Sequence, residues 1–246
     1  MSLFRVENGS FSRGQKVIFS NISCEVKNGE ILAVLGCNGA GKTTFIQCCM
    51  GLLKWSAGRS FLENKNIATI NTKDLFSQIA YIPQAKTLNV ALSVIDMVLL
   101  GCNALVKFNP TKAHIENAHN ILEYIGIAHL KDKHCDCLSG GELQMVIVAR
   151  ALINKPKMII LDEPESNLDF KNQYKLLKIL EQLKGEGKGI IINTHYLQNA
   201  KRLGDKILIL HKNKRHILGN QTLLNKEQLS ESFEVNREFF EYLTAI

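Results

Sequence analysis

Nine residues, 36–44, reading GCNGAGKTT, constrain this chain more than any other stretch. They follow Ile31-Leu32-Ala33-Val34-Leu35, an apolar run of the length of one buried strand. They lead into residues 45–53, which carry no breaker before Gly51 and read as a helix. Strand, glycine-rich loop and helix in that order predict a phosphate loop. Gly36, Gly39 and Gly41 let the backbone turn tightly and approach an oxyanion with no Cβ in the way. The amides of the loop (Cys37, Asn38 and Ala40 among them) and of the helix start at Lys42, Thr43 and Thr44 then attract one anion. Lys42 can bring a positive charge to the β- and γ-phosphates, and the Thr43 hydroxyl can ligand Mg²⁺. The chain is expected to bind a nucleoside triphosphate.

With 246 residues, 46% hydrophobic and 22% charged, the chain is globular and long enough for one large domain or a core with an inserted subdomain. Residues 88–100 are the longest lipid-compatible run, but Asn89, Ser93 and Asp96 interrupt it and it is too short to span a bilayer. Arg5 and Glu7 stand where a signal peptide needs an apolar core, so no secretion is expected. Seven cysteines without a CxxC pair read as free thiols of a cytosolic chain. His134, Cys135 and Cys137 lack a second ligand set for zinc. The net charge of +7 is scattered, with no stripe of basic and aromatic residues, and reads as a solvated surface; no nucleic-acid partner is expected.

Along the chain, residues 3–7 and 16–26 predict strands, with turn signals at Asn8-Gly9 and Asn28-Gly29. Residues 59–70 form a weak strand-and-turn region, and residues 79–84 a short strand closed by Pro83. Residues 94–100 and 113–125 have helical spacing, with Ile115, Ala118, Ile121, Leu122 and Ile125 on one face. Strand texture returns at residues 158–161, 189–193 and 207–210, separated by helical stretches such as 173–183. The alternation predicts an α/β fold with a mainly parallel sheet, into which residues 85–155 insert as a helical subdomain. The tail, residues 225–246, is too short for a further domain.

Two further motifs carry chemistry. Met158-Ile159-Ile160-Leu161-Asp162-Glu163 is an apolar strand that delivers two carboxylates to the sheet's carboxyl edge. Asp162 can hold Mg²⁺ directly or through water, and Glu163 can orient or deprotonate an attacking water. Leu138-Ser139-Gly140-Gly141-Glu142 opens a helix. Ser139 and Glu142 fit a capping box, and the paired glycines also expose amides as a second anion site.

Taken in order with Gln84, Ser166-Asn167-Leu168-Asp169 and His195, these motifs resemble an ATP-binding cassette (ABC) transporter ATPase over essentially the whole chain. The resemblance implies a P-loop NTPase (RecA-like) core with an antiparallel β subdomain and an inserted helical subdomain. It divides the single domain into a nucleotide-binding core, residues 1–84 and 156–246, and an insert, residues 85–155, that carries the signature. It also implies a homodimer of two copies facing head to tail, each ATP lying between one copy's phosphate loop and the other's Ser139, Gly140 and Gly141. Gln84 would touch Mg²⁺ and the membrane partner, Asp169 would close the loop crossing the dimer, and His195 would contact the γ-phosphate. The catalytic set is then Glu163, His195, Gln84 and Lys42, and the metal set Thr43, Gln84 and Asp162.

Within the family the chain looks most like the cytoplasmic subunits of importers for iron complexes, haem and cobalamin. That subclass rests on Val98-Leu99-Leu100-Gly101, on Gly126-Ile127-Ala128-His129-Leu130 and on Leu168-Asp169-Phe170-Lys171-Asn172-Gln173. It implies permease subunits, an extracytoplasmic binding protein and a place on the inner face of the membrane. An ABC ATPase of another transporter class, or a soluble cassette acting on nucleic acid or ribosomes, is the alternative. The chain departs from the family pattern at Cys102, Glu142, Met145 and Glu165. Where an adenine-stacking aromatic is expected just before Gly14 stands Arg13, whose guanidinium can also stack, with Phe11 two residues away.

Overall fold

A computed structural model describes residues 2–84, 91–104, 110–166 and 168–244. In chain order the elements are β1 (Ser2–Arg13), β2 (Lys16–Lys27), β3 (Ile31–Leu35), α1 (Lys42–Cys49), β4 (Ala57–Leu62), β5 (Lys65–Asn66), α2 (Thr72–Gln78), β6 (Ile79–Ile82), α3 (Val94–Leu99) and α4 (Lys112–Ile125). There follow α5 (Gly140–Leu152), β7 (Met158–Asp162), α6 (Phe170–Gly185), β8 (Gly189–Asn193), α7 (Leu197–Leu203), β9 (Lys206–Leu210), β10 (His216–Gly219), α8 (Lys226–Phe233) and α9 (Arg237–Thr244). They form two compact units, Met1–Thr69 with Gly189–Ile246, and Ile70–Lys188.

In the first unit, β2-β1-β4-β5 make an antiparallel sheet. A second sheet runs β10-β9-β3-β8, with β3 parallel to both β8 and β9 and β10 antiparallel at its edge. Every residue of β3 is buried, as an uninterrupted Ile-Leu-Ala-Val-Leu run in a parallel sheet requires. The Asp205 carboxylate accepts the Ile31 amide at 2.8 Å and anchors the strand's start. Phe19, Phe45 and Trp55 meet edge to face at 5.9–6.0 Å and join the antiparallel sheet to α1. Asn8-Gly9, read from sequence as a turn, lies inside β1. Asn8 is left-handed (φ 50°) and the register against β2 shifts between Val6 and Gly9, so the turn-like residues mark a bulge. Gly9 is needed there because a Cβ would stand 2.6 Å from the Trp55 ring.

In the second unit β6 and β7 pair in parallel. Helix α5 is its centre: Leu143 through Ala149 are all buried, and α3, α4, α6 and β6 pack around it. Gly101 lies so close to the Arg150 carbonyl that a Cβ would clash, and Asn154 donates to the Gly101 carbonyl at 2.7 Å. Helix α4 opens on a Thr111–His114 capping box and closes on left-handed Gly126. Of its expected face, Ala118, Leu122 and Ile125 are buried, whereas Ile115 is 41% exposed. Among the described residues no helix is long and apolar enough to cross a membrane.

Candidate nucleotide site

The phosphate loop forms between β3 and α1. Gly36, Gly39 and Gly41 all have positive φ, and Gly41 caps α1 in the left-handed region. A Cβ on Gly41 would stand 2.7 Å from the Ile18 side chain, so the loop rests on β2. Lys42 is 5% exposed; its ammonium donates to the carbonyls of Gly36 (2.8 Å) and Cys37 (3.2 Å) and folds the loop around its own charge. The Ala40 amide closes the turn onto the Cys37 carbonyl. Asn38, Gly39 and Thr43 are exposed, while Cys37 and Thr44 are half-buried. A loop of this kind turns amides and one buried cation toward a polyanion.

Two more expected residues lie in the same unit. Arg13 is exposed at the end of β1, opposite Lys16 across the tip of the β1–β2 hairpin. Phe11 instead stacks on Phe19, centroids 6.2 Å apart, and belongs to the aromatic cluster. His195 is half-buried between β8 and α7, where the Thr194 hydroxyl accepts the Tyr196 amide at 3.0 Å. It borders a cavity of about 320 Å³ with Tyr196, Phe233, Val235, Phe239 and Phe240.

In the second unit Asp162 ends β7 at 8% exposure. The Tyr81 hydroxyl, from β6, donates to its Oδ2 at 3.3 Å. Burial, with the neighbouring carboxylate, pushes the Tyr81 phenol far above its usual range, so it stays a donor. Glu163 is half-buried and left-handed (φ 48°), and its carbonyl accepts both the Ser166 hydroxyl (2.9 Å) and the Ser166 amide (3.3 Å). Gln84 is exposed, two residues after β6.

The signature forms the expected capping box. The Glu142 carboxylate accepts the Ser139 amide and hydroxyl, both at 2.9 Å, and the Glu142 amide donates back to Ser139 Oγ. The Ser139 amide holds the Glu142 carboxyl below the ordinary range. Gly140 is exposed, and Gly141 is buried and packed so closely that a Cβ there would meet Asn172 at 2.8 Å. The second glycine therefore lets α5 seat against the start of α6, which Asp169 caps through the Asn172 amide at 2.8 Å. Asn167 lies outside the described residues.

Two supporting side chains escaped the sequence reading. Tyr81 is visible only once β6 pairs with β7. Gln144, 1% exposed, donates to the Pro83 carbonyl at 3.2 Å and ties the signature helix to the residue before Gln84. A lone amide within an otherwise apolar helix face was the available signal.

Residues 19–166, more than half of the chain, match the family described as ABC transporter. The chain belongs to the ABC transporter ATP-binding family. A probable iron chelatin transport ATP-binding protein of Helicobacter pylori is 37% identical over 197 residues, covering 78% of this chain and 77% of that protein. The molybdate import ATP-binding protein MolC of Haemophilus influenzae is 30% identical, covering 94% and 87%. Among solved structures, an inward-facing metal-chelate type ABC transporter superposes with a TM-score of 0.85 at 28% identity, covering 95% of this chain and 90% of that one. The fold is thus that of an ABC ATPase with a P-loop NTPase core, and the chain is an ATPase subunit that powers transport.

Proposed function

We propose that this ABC subunit works as a head-to-tail homodimer and drives uptake of a metal complex, such as an iron–siderophore, haem or cobalamin, through separate permease subunits at the inner face of the membrane. The observation that carries the cargo class is the likeness to a metal-chelate type transporter over 95% of the chain. An extracytoplasmic binding protein would deliver the cargo. Residues 1–84 and 156–246 act as the nucleotide-binding core and residues 85–155 as the helical insert.

Each residue has a role in this reading. Residues 36–44 hold the phosphates through their amides and Lys42. Thr43, Gln84 and Asp162 supply oxygen donors, the class that a hard divalent cation takes, and Tyr81 keeps one Asp162 oxygen oriented. Bound Mg²⁺ would neutralise charge on the phosphate oxygens. Glu163 takes the proton of the attacking water or orients it, and His195 steadies the γ-phosphate. Ser139, Gly140 and Gly141 serve the partner copy's nucleotide, with Asp169 on the loop that crosses between copies.

The test is reconstitution with the cognate permease and binding protein in liposomes. ATP-dependent accumulation of an iron chelate, haem or cobalamin is expected. Accumulation of molybdate with none of these three would overturn the cargo class.

Adenine recognition makes a second, independent prediction. Phe11 is engaged with Phe19, so the exposed Arg13 guanidinium is left to stack on the base. Arg13→Ala should weaken ATP binding by about 2- to 30-fold, from a stacking contribution of roughly 0.5–2 kcal/mol. Arg13→Tyr should restore it. Unchanged affinity in fluorescence titrations of Arg13→Ala would remove Arg13 from the site.

A further inference from the structure

Gly36, the first glycine of the phosphate loop, sits directly on the Leu210 carbonyl, where any Cβ would clash. Leu210 ends β9, and residues 211–215 turn the chain back into β10. His211 and Lys214 close this turn through two backbone bonds, His211 amide to Arg215 carbonyl and Lys214 amide to His211 carbonyl. Glu234, through its hydrogen bond and its charge, raises the pKa of the Lys212 ammonium.

The C-terminal end of α8 grips this turn at three successive points. Glu231 pairs with Arg215 at 3.3 Å, and Glu234, just past the helix, with Lys212 at 2.5 Å. Between them Ser232, 1% exposed, meets Nε2 of His211, 4% exposed, at 3.4 Å. The Ser232 hydroxyl already donates to the Gln228 carbonyl, so in this pair the imidazole must donate through Nε2–H.

We propose that α8 braces the phosphate loop: Glu231, Ser232 and Glu234 are positioning residues that hold the 211–215 turn, and the turn holds the Leu210 carbonyl against Gly36 in the conformation that binds phosphate. The proposal rests on the reading of residues 36–44 as the nucleotide's phosphate site. Nucleotide binding and docking of the chain's C-terminal helices are then linked, each favouring the other.

The brace is also sensitive to acid. Burial pushes the His211 pKa below its ordinary value, with Arg215 adding to this and Glu231 opposing it; His216, facing it from β10, is lowered too, by burial and by His211. A histidine whose pKa is lowered on folding resists protonation there. The contribution of His211 to docking is fully present above about pH 6.5 and is lost as the pH falls through the lowered folded-state value.

The triple variant Glu231→Gln/Ser232→Ala/Glu234→Gln tests this. Its Kd for MgATP should rise about three- to tenfold, since two of the three contacts are exposed ion pairs, while kcat at saturating ATP stays within about twofold. Hydrogen exchange should quicken in peptides spanning residues 36–41. Between pH 7.5 and 5.5 the wild type should lose affinity more steeply than the triple variant, because titration of the nucleotide is common to both. Unchanged Kd and unchanged exchange at residues 36–41 would overturn the brace, as would a fall in kcat with Kd unmoved. Lys42→Ala, run alongside, separates the two readings: if it binds MgATP normally, the phosphate site itself is wrong, whereas if it fails to bind and the triple variant matches wild type, only the brace falls.

Discussion

The Glu163→Gln variant is expected to bind ATP but not to turn it over. Strand β7 carries Asp162 and Glu163 to its end, and the bonds from Ser166 to the Glu163 carbonyl hold the backbone from which the side chain projects. Glutamine keeps the size and much of the hydrogen bonding of glutamate but cannot accept a proton from water. Loss of a positioned general base costs about 10²- to 10⁴-fold in rate. Residues 36–44 are untouched, so the dissociation constant for ATP should stay within about threefold of the wild type. Because hydrolysis would no longer separate the proposed pair of copies, ATP with Mg²⁺ should shift the variant to a dimer on size exclusion. Phosphate release at the wild-type rate would show that Glu163 is not the base.

Lys42→Ala should instead lose the nucleotide. The Lys42 ammonium is buried and bonds two loop carbonyls, so its removal costs both the loop's closure and the one side-chain charge inside it. Hydrogen bonds to charged groups contribute about 1.5–3 kcal/mol, which predicts roughly a 10- to 150-fold rise in Kd. Ser139→Ala makes the contrast. It removes a helix cap worth about 1 kcal/mol and should lower hydrolysis, yet leave the affinity of an isolated monomer nearly unchanged, because its proposed nucleotide belongs to the other copy. Equal losses of monomer affinity in the two variants would contradict a site shared between copies.

What could be read from the sequence was local chemistry. The loop at residues 36–44, the cap at Ser139 and Glu142, and the apolar run before Asp162 each declare themselves within a few residues, and each forms as expected. Contacts between distant segments left no such trace. Nothing in the strand read at residues 79–84 shows that Tyr81 reaches Asp162, because the pairing of β6 with β7 creates that bond. The long strand β1 was cut short in the reading, since Asn8-Gly9 has turn chemistry whether it makes a turn or a bulge. Helix α8 buries only Leu229 and Ser232, so a tail read as too short for a further domain gave no sign that its residues pair with the turn behind the phosphate loop. Ile115 shows the opposite error: it has the right spacing for the buried face of α4 but is exposed.

The left-handed backbone at Glu163 bears on how this protein can evolve. A residue with a Cβ pays about 1–2 kcal/mol to hold that conformation, and glycine pays almost none of it. Local backbone energetics therefore disfavour the very side chain that the proposed mechanism sets against the attacking water. At this one position, relief of backbone strain and the proposed catalytic role would pull the sequence in opposite directions. If Glu163 is the base, a demand for turnover would keep a carboxylate where stability alone gives the backbone a reason to prefer glycine.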